Sequence, residues 1–247
     1  KALLITGARQ IGKTYSIRHV GKKMFENFIE VNFIETPEAA GIFSGAKDAS
    51  EILFRLSSIA KGKIVPGKTL VFFDEVQECP EVVTQIKFLV EDGTCQYVLS
   101  GSLLGVELKD LRSEPVGYMS VKEMYPIDFQ EFAIAMGVGE HIIDNLRECY
   151  ENLVPVDDFI HNRMMALFRL YLIVGGMPAV VSKYLETNNM QSVIAEQHSI
   201  LDMYRRDISK YDPQNKLYLN EIFSLIPSEL NAKNKRFILK DLNENLK

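Results

Sequence analysis

The run Gly7-Ala8-Arg9-Gln10-Ile11-Gly12-Lys13-Thr14, set between the apolar Ala2-Leu3-Leu4-Ile5-Thr6 and a helix-compatible stretch from Lys13 to Met24, constrains the fold more than any other feature. A short apolar run that ends in a Gly-containing turn and passes at once into helical periodicity reads as strand, loop, helix. In that context the spacing G-x-x-x-x-G-K-[ST] is complete. Its glycines let backbone N–H groups turn inward around phosphate oxygens, and the following helix directs its positive end at the same charge. Lys13 is then expected to bridge the β- and γ-phosphates and Thr14 to set its hydroxyl on Mg²⁺. Gly7, Ala8, Ile11 and Gly12 complete the cradle. Arg9 and Gln10 fill its variable positions and stay open to a phosphate contact or to plain solvation.

The stretches that follow alternate between strand and helix patterns. Phe28 to Phe33 reads as a strand, with a helix start at Thr36-Pro37, and Ser50 to Ala60 is helical. A Gly/Pro-rich turn over Lys61 to Lys68 leads into Thr69 to Phe73, a continuous apolar run of the kind buried in parallel sheets. Another helix starts at Pro80, and Gln96 to Leu99 and Val116 to Val121 are the remaining strands. This spacing implies an α/β fold with a doubly wound parallel sheet and right-handed crossovers. From Phe129 to Tyr211 the periodicity is helical, broken near Gly137 to Gly139, at Pro155 and at Gly175-Gly176-Met177-Pro178. Past Asp212-Pro213 comes a third segment, with helices near Leu217 to Ile226 and from Asn234 onward. The expected organisation is a core over 1–128, a helical part over 129–211 and the beginning of a further module over 212–247. The first residue is not Met, and Lys240 to Lys247 stop within an amphipathic pattern, so a fragment of a longer protein is expected.

The strand Leu70-Val71-Phe72-Phe73 ends in Asp74-Glu75, two carboxylates at the strand end where ligands bind in such sheets. With the cradle upstream, Asp74 is expected to hold the Mg²⁺ shell and Glu75 to orient and polarise an attacking water. Gln77 reads first as an ordinary loop or helix-start polar residue, with a place in the γ-phosphate neighbourhood as the second account. The next strand ends in Ser100-Gly101-Ser102, and Ser102 is the preferred sensor of the γ-phosphate or the water, with a plain helix N-cap as the other account.

Composition excludes several classes. With 47% hydrophobic and 25% charged residues, 247 residues can bury a sizeable core, which rules out a disordered or fibrous chain. The sequence has no run near the ~18 apolar residues of a membrane span. Cys79, Cys95 and Cys149 are too few and scattered for a disulfide framework, which fits a reducing compartment, the cytoplasm. His19, His141, His161 and His198 share no ligand spacing. A net charge of −5 supplies no sequence-wide attraction for nucleic acid.

Taken together, the motifs resemble the prokaryotic AAA-type ATPases that carry a C-terminal domain of unknown function, a branch of the AAA+ superfamily. The resemblance rests on the cradle, Phe73-Asp74-Glu75-Val76-Gln77, Leu99-Ser100-Gly101-Ser102, and Met124-Tyr125-Pro126-Ile127-Asp128-Phe129-Gln130-Glu131-Phe132. It extends through Gly175-Gly176-Met177-Pro178, Tyr204-Arg205-Arg206-Asp207-Ile208-Ser209-Lys210 and Ile226-Pro227-Ser228-Glu229-Leu230. It implies a P-loop sheet in the order 5-1-4-3-2, a helical lid and a winged-helix-like module leading to a nuclease-like domain beyond this chain. It also implies that Gly176 and Pro178 lie near the base or ribose. Many relatives open the last core strand with Gly-Arg, but here Tyr118 follows Gly117, so no arginine finger carries over. Arg205 and Arg206 are the replacement candidates, Arg206 foremost, with solvated helix charges as the alternative. The implied activity is hydrolysis of Mg·ATP to ADP and phosphate to switch a C-terminal module or partner. A slow nucleotide-gated switch, a small-molecule kinase and a DNA-associated motor remain its rivals, the Glu directly after the strand-end Asp fitting water activation better than a kinase, and a homo-oligomer or a protein partner stays open.

Overall fold

The computed structural model describes residues 1–60, 64–102, 117–211 and 214–231. Five strands form one all-parallel sheet: β1 (Ala2–Thr6), β2 (Asn27–Asn32), β3 (Thr69–Asp74), β4 (Gln96–Ser100) and β5 (Met119–Glu123). Their order is β2-β3-β4-β1-β5, the expected 5-1-4-3-2 viewed from the other edge. Every residue of β3 is buried, as its unbroken Leu70-Val71-Phe72-Phe73 run demands of a strand covered on both faces. β1 pairs with β4 on one side and β5 on the other, so the strand that feeds the cradle sits inside the sheet.

The helices of this layer are α1 (Lys13–Met24), α2 (Ala49–Ile59) and α3 (Pro80–Asp92). Asp48 caps α2 by accepting from Glu51 N, while α3 starts on Pro80 and stops at Gly93 in the left-handed conformation. Helix α1 lies close on the sheet. A Cβ built on Gly21 would come within 2.5 Å of the Phe28 ring, so a larger residue there would have to displace that ring. Below the end of β3 an aromatic group of Phe33, Phe43, Phe73 and Tyr97 fills the core, with Phe43 edge-on to Phe73 at 5.3 Å and Tyr97 stacked on Phe73 at 6.4 Å. That packing fixes the residue that follows, Asp74.

Helices α4 (Phe129–Ala135), α5 (Glu140–Glu151) and α6 (Asp158–Val174) come next, around a small core of Ala133, Val138, Ile143 and Met164. Asp128 and Glu131 form a complete capping box on α4. Asp128→Ala is expected to lower stability by about 1 kcal/mol, read as a lower denaturant midpoint at unchanged slope.

The chain divides into two compact units, Lys1–Pro178 and Ala179–Lys247. The second holds most of α7 (Pro178–Thr187), together with α8 (Met190–Tyr211) and α9 (Lys216–Asn231), of which α8 and α9 pack together. Helix α9 runs on through Pro227, past the expected end at Ile226, although the ring removes one i→i−4 hydrogen bond. Among the described residues no single helix is long and apolar enough to cross a membrane.

Several expected boundaries shift, α2 by one residue at each end and β3 and β4 by one residue at their ends. β2 begins and ends one residue early, and Phe33 instead leaves the strand and donates its N–H to Asp74 O at 3.2 Å. The segment after Thr36 is a 3-10 turn, Pro37–Ile42, without a side-chain cap. β5 is displaced toward Glu123 because its register with β1, Ala2 against Met119 through Thr6 against Glu123, sets its bounds. Edge position lets exposed Lys122 and Glu123 belong to a strand that hydropathy alone cuts short. Val116, the turn over 61–63, the Asp212-Pro213 junction and the helix expected from Asn234 lie outside the described residues.

Candidate nucleotide site

The cradle joins the C-terminal end of β1 to α1. Gln10 (φ 64°) and Gly12 (φ 92°) are left-handed, the conformation that curls successive N–H groups toward a common centre. Gly12 is also the N-cap of α1, which has no side-chain cap and no acidic residue in its first turn. Those orphan N–H groups and the positive helix end therefore suit an anion. Gly7 is required for a different reason: a Cβ there would lie 2.3 Å from the carbonyl oxygen of Met124, which follows β5 and donates its own N–H to Thr6 O at 2.8 Å.

Lys13 folds back over the loop, its Nζ donating to Gly7 O at 3.0 Å and Ala8 O at 2.8 Å. Burial pushes its pKa below the usual lysine value, the Glu75 and then the Asp74 carboxylates raise it again, and Arg9 lowers it. Thr14 Oγ1 donates to Asp74 Oδ2 at 3.0 Å across 60 residues of sequence. Asp74 itself is only 2% exposed and accepts from several groups at once. Asn32 Nδ2 donates to Oδ2 at 3.2 Å, the Glu75 N–H donates to Oδ1 at 3.0 Å, and the Ser100 hydroxyl donates to Oδ1. Glu75, beside it, has a left-handed backbone (φ 58°, ψ 47°), an uncommon state for a non-glycine residue and one that concentrates at functional sites.

A cavity of about 580 Å³ opens beside Gly12, Tyr15, Met124, Ile127 and Pro178. Its wall is tied together tightly. Ile127 N donates to Gly176 O at 2.8 Å, Tyr171 Oη donates to Ile127 O at 2.9 Å, and a Cβ on Gly176 would sit 2.2 Å from Ile127 O.

The structure thus brings Gly7 to Thr14, Asp74 and Glu75 together at one end of the sheet, with Pro178 lining the adjoining cavity and Gly176 hydrogen-bonded to Ile127 of its wall. Ser102 is buried just past β4, two residues beyond the hydroxyl that touches Asp74, which belongs to Ser100. Arg206 lies on α8 in the second unit, where its Nε donates to Asp202 O at 3.3 Å, and Arg205 pairs with the Asp202 side chain at 3.1 Å. Asn32 escapes sequence reading altogether. Its signal is visible only once β2 and β3 are in register, with Asn32 opposite Asp74. Among the described residues no group of three or more His, Cys, Asp and Glu side chains is arranged to hold a metal by itself.

A parallel sheet in this order, with a phosphate cradle after its first strand and an acidic pair after its third, defines a P-loop nucleotide-binding ATPase core of AAA+ type. Residues 1–133, just over half of the chain, match the family model described as AAA domain, and the chain belongs to that family. Residues 165–247 match a domain of unknown function, DUF8612. No curated protein matches the sequence. Among solved structures it is similar to the Aeropyrum pernix ORC1 protein in complex with DNA, at 16% identity over 54% of this chain and 41% of that one, with TM-score 0.36. It is also similar to C. elegans PCH-2, at 12% identity over 79% and 61% with TM-score 0.40. A Thermotoga maritima RuvB variant aligns at 16% identity over 85% and 67% with TM-score 0.37. The chain spans less than two thirds of the length of the first two.

Proposed function

We propose that this chain binds Mg·ATP and hydrolyses it to ADP and phosphate, using residues 1–128 as the ATPase core, 129–211 as a helical lid and 212–247 as the start of a module that responds to the nucleotide. The observation that carries this reading is the hydrogen bond from Thr14 to Asp74, which joins the cradle to the acidic strand end. Two hard oxygen ligands side by side, backed by Asn32 and Ser100, are the donor set that suits magnesium. Bound there, the ion would neutralise phosphate charge. Lys13 would exchange its two loop carbonyls for β- and γ-phosphate oxygens, and Glu75 would accept the proton of the attacking water. Ser102 and Arg206 are the proposed additional groups near the γ-phosphate, and Gly176 and Pro178 the proposed neighbours of the base or ribose.

The test is phosphate release from Mg·ATP per chain over a range of protein concentrations, with Lys13→Ala as the blank. Turnover above the blank is expected. A specific activity that rises with concentration would mean that a second chain contributes a catalytic group, the role Tyr118 leaves vacant at the position of an arginine. ATP binding with negligible turnover at every concentration would overturn hydrolysis as the function and leave a nucleotide-gated switch.

A further inference from the structure

One side chain outside these assignments reaches the reacting end of the site. Gln77 is 3% exposed, lies in the 3-10 turn Val76–Glu78, and donates its Nε2 to Glu75 Oε2. The backbone accounts for the meeting. Glu75 is left-handed, and Glu78 N to Glu75 O at 2.9 Å with Cys79 N to Val76 O at 3.0 Å coil the chain tightly behind it. Val76 turns into the core below β3, while the side chain two positions after Glu75 comes back to the Glu75 carboxylate. Asn32 and Ser100 serve the other carboxylate, Asp74, so these three polar side chains divide between the two acids.

We propose that Gln77 is a positioning residue for Glu75: its amide holds one carboxylate oxygen and leaves the other to take the proton of the attacking water. This rests on the reading of Glu75 as the base. A donor that fixes a base costs no reorganisation when the water reacts, so its contribution belongs to the chemical step and not to ATP affinity.

The experiment compares Gln77→Met, Gln77→Glu and Glu75→Gln with the unmodified chain, measuring kcat for phosphate release, the Kd for Mg·ATP and the melting temperature. Gln77→Glu keeps the size of the side chain but replaces the donor with a like charge. Both Gln77 variants are expected to lower kcat by about tenfold or more while the Kd stays within about twofold. Wild-type kcat in Gln77→Glu would mean that the residue only fills space, and a parallel loss of kcat and affinity in both variants would mean that it only supports the turn. Either result overturns the proposal. If Gln77→Glu does not fold, Gln77→Met decides the matter alone. The Glu75→Gln arm separates the two levels: an inactive Glu75→Gln beside normal Gln77 variants removes only the inference, whereas an active Glu75→Gln, or an unmodified chain without turnover, removes the reading beneath it as well.

Discussion

Glu75→Gln is expected to retain ATP while turnover falls by about 10²- to 10⁴-fold, the range associated with loss of a positioned general base. The substitution is nearly isosteric, and the amide oxygen of the new side chain can still accept from Gln77 Nε2, so the left-handed turn at position 75 has no reason to open. Removing the charge also takes away the larger of the two carboxylate effects that raise the pKa of Lys13. The Asp74 carboxylate remains to oppose the effect of burial on Lys13. Binding of a fluorescent ATP analogue together with a phosphate-release assay checks both halves of the prediction. Turnover within threefold of the unmodified chain would show that another group acts as the base.

Lys13→Ala acts one step earlier. In the free chain Nζ makes two hydrogen bonds to the loop carbonyls of Gly7 and Ala8, and on ATP binding these are to be exchanged for bonds to phosphate oxygens. Each charge-assisted bond is worth about 1.5–3 kcal/mol, so losing two of them should weaken Mg·ATP binding by about 10²- to 10⁴-fold. The fold should suffer little, since the same substitution relieves the cost of partly burying an ammonium group. Titration calorimetry with Mg·ATP, alongside a melting curve, separates the two effects. Unchanged affinity in a well-folded variant would remove the cradle from the site.

These two residues were legible in the sequence because their chemistry is carried by contiguous backbone. Gly7 to Thr14 encodes a loop, its left-handed turns and the helix that receives it within eight positions. The acidic pair announces itself by ending an unbroken apolar strand. The bounds of α1 follow from the same local signals and agree residue for residue, Lys13 to Met24. Ser100 and Gln77 were visible but ambiguous. Whether Ser100 or Ser102 serves Asp74 depends on where β4 stops relative to β3, and whether Gln77 meets Glu75 depends on a left-handed residue that no local rule predicts for a glutamate.

The class of fold, the glycine-rich loop that leads into α1 and the acidic end of β3 follow from local sequence, because each is specified by neighbours along the chain. Which groups support the two carboxylates depends on how distant segments are brought together. Asn32 and Asp74 are 42 positions apart and Thr14 and Asp74 are 60, and they meet because parallel pairing sets β2 and α1 beside the end of β3. The physical reason is that strand register is fixed by the burial of whole faces and by hydrogen bonds between distant segments. No single stretch of sequence contains that information.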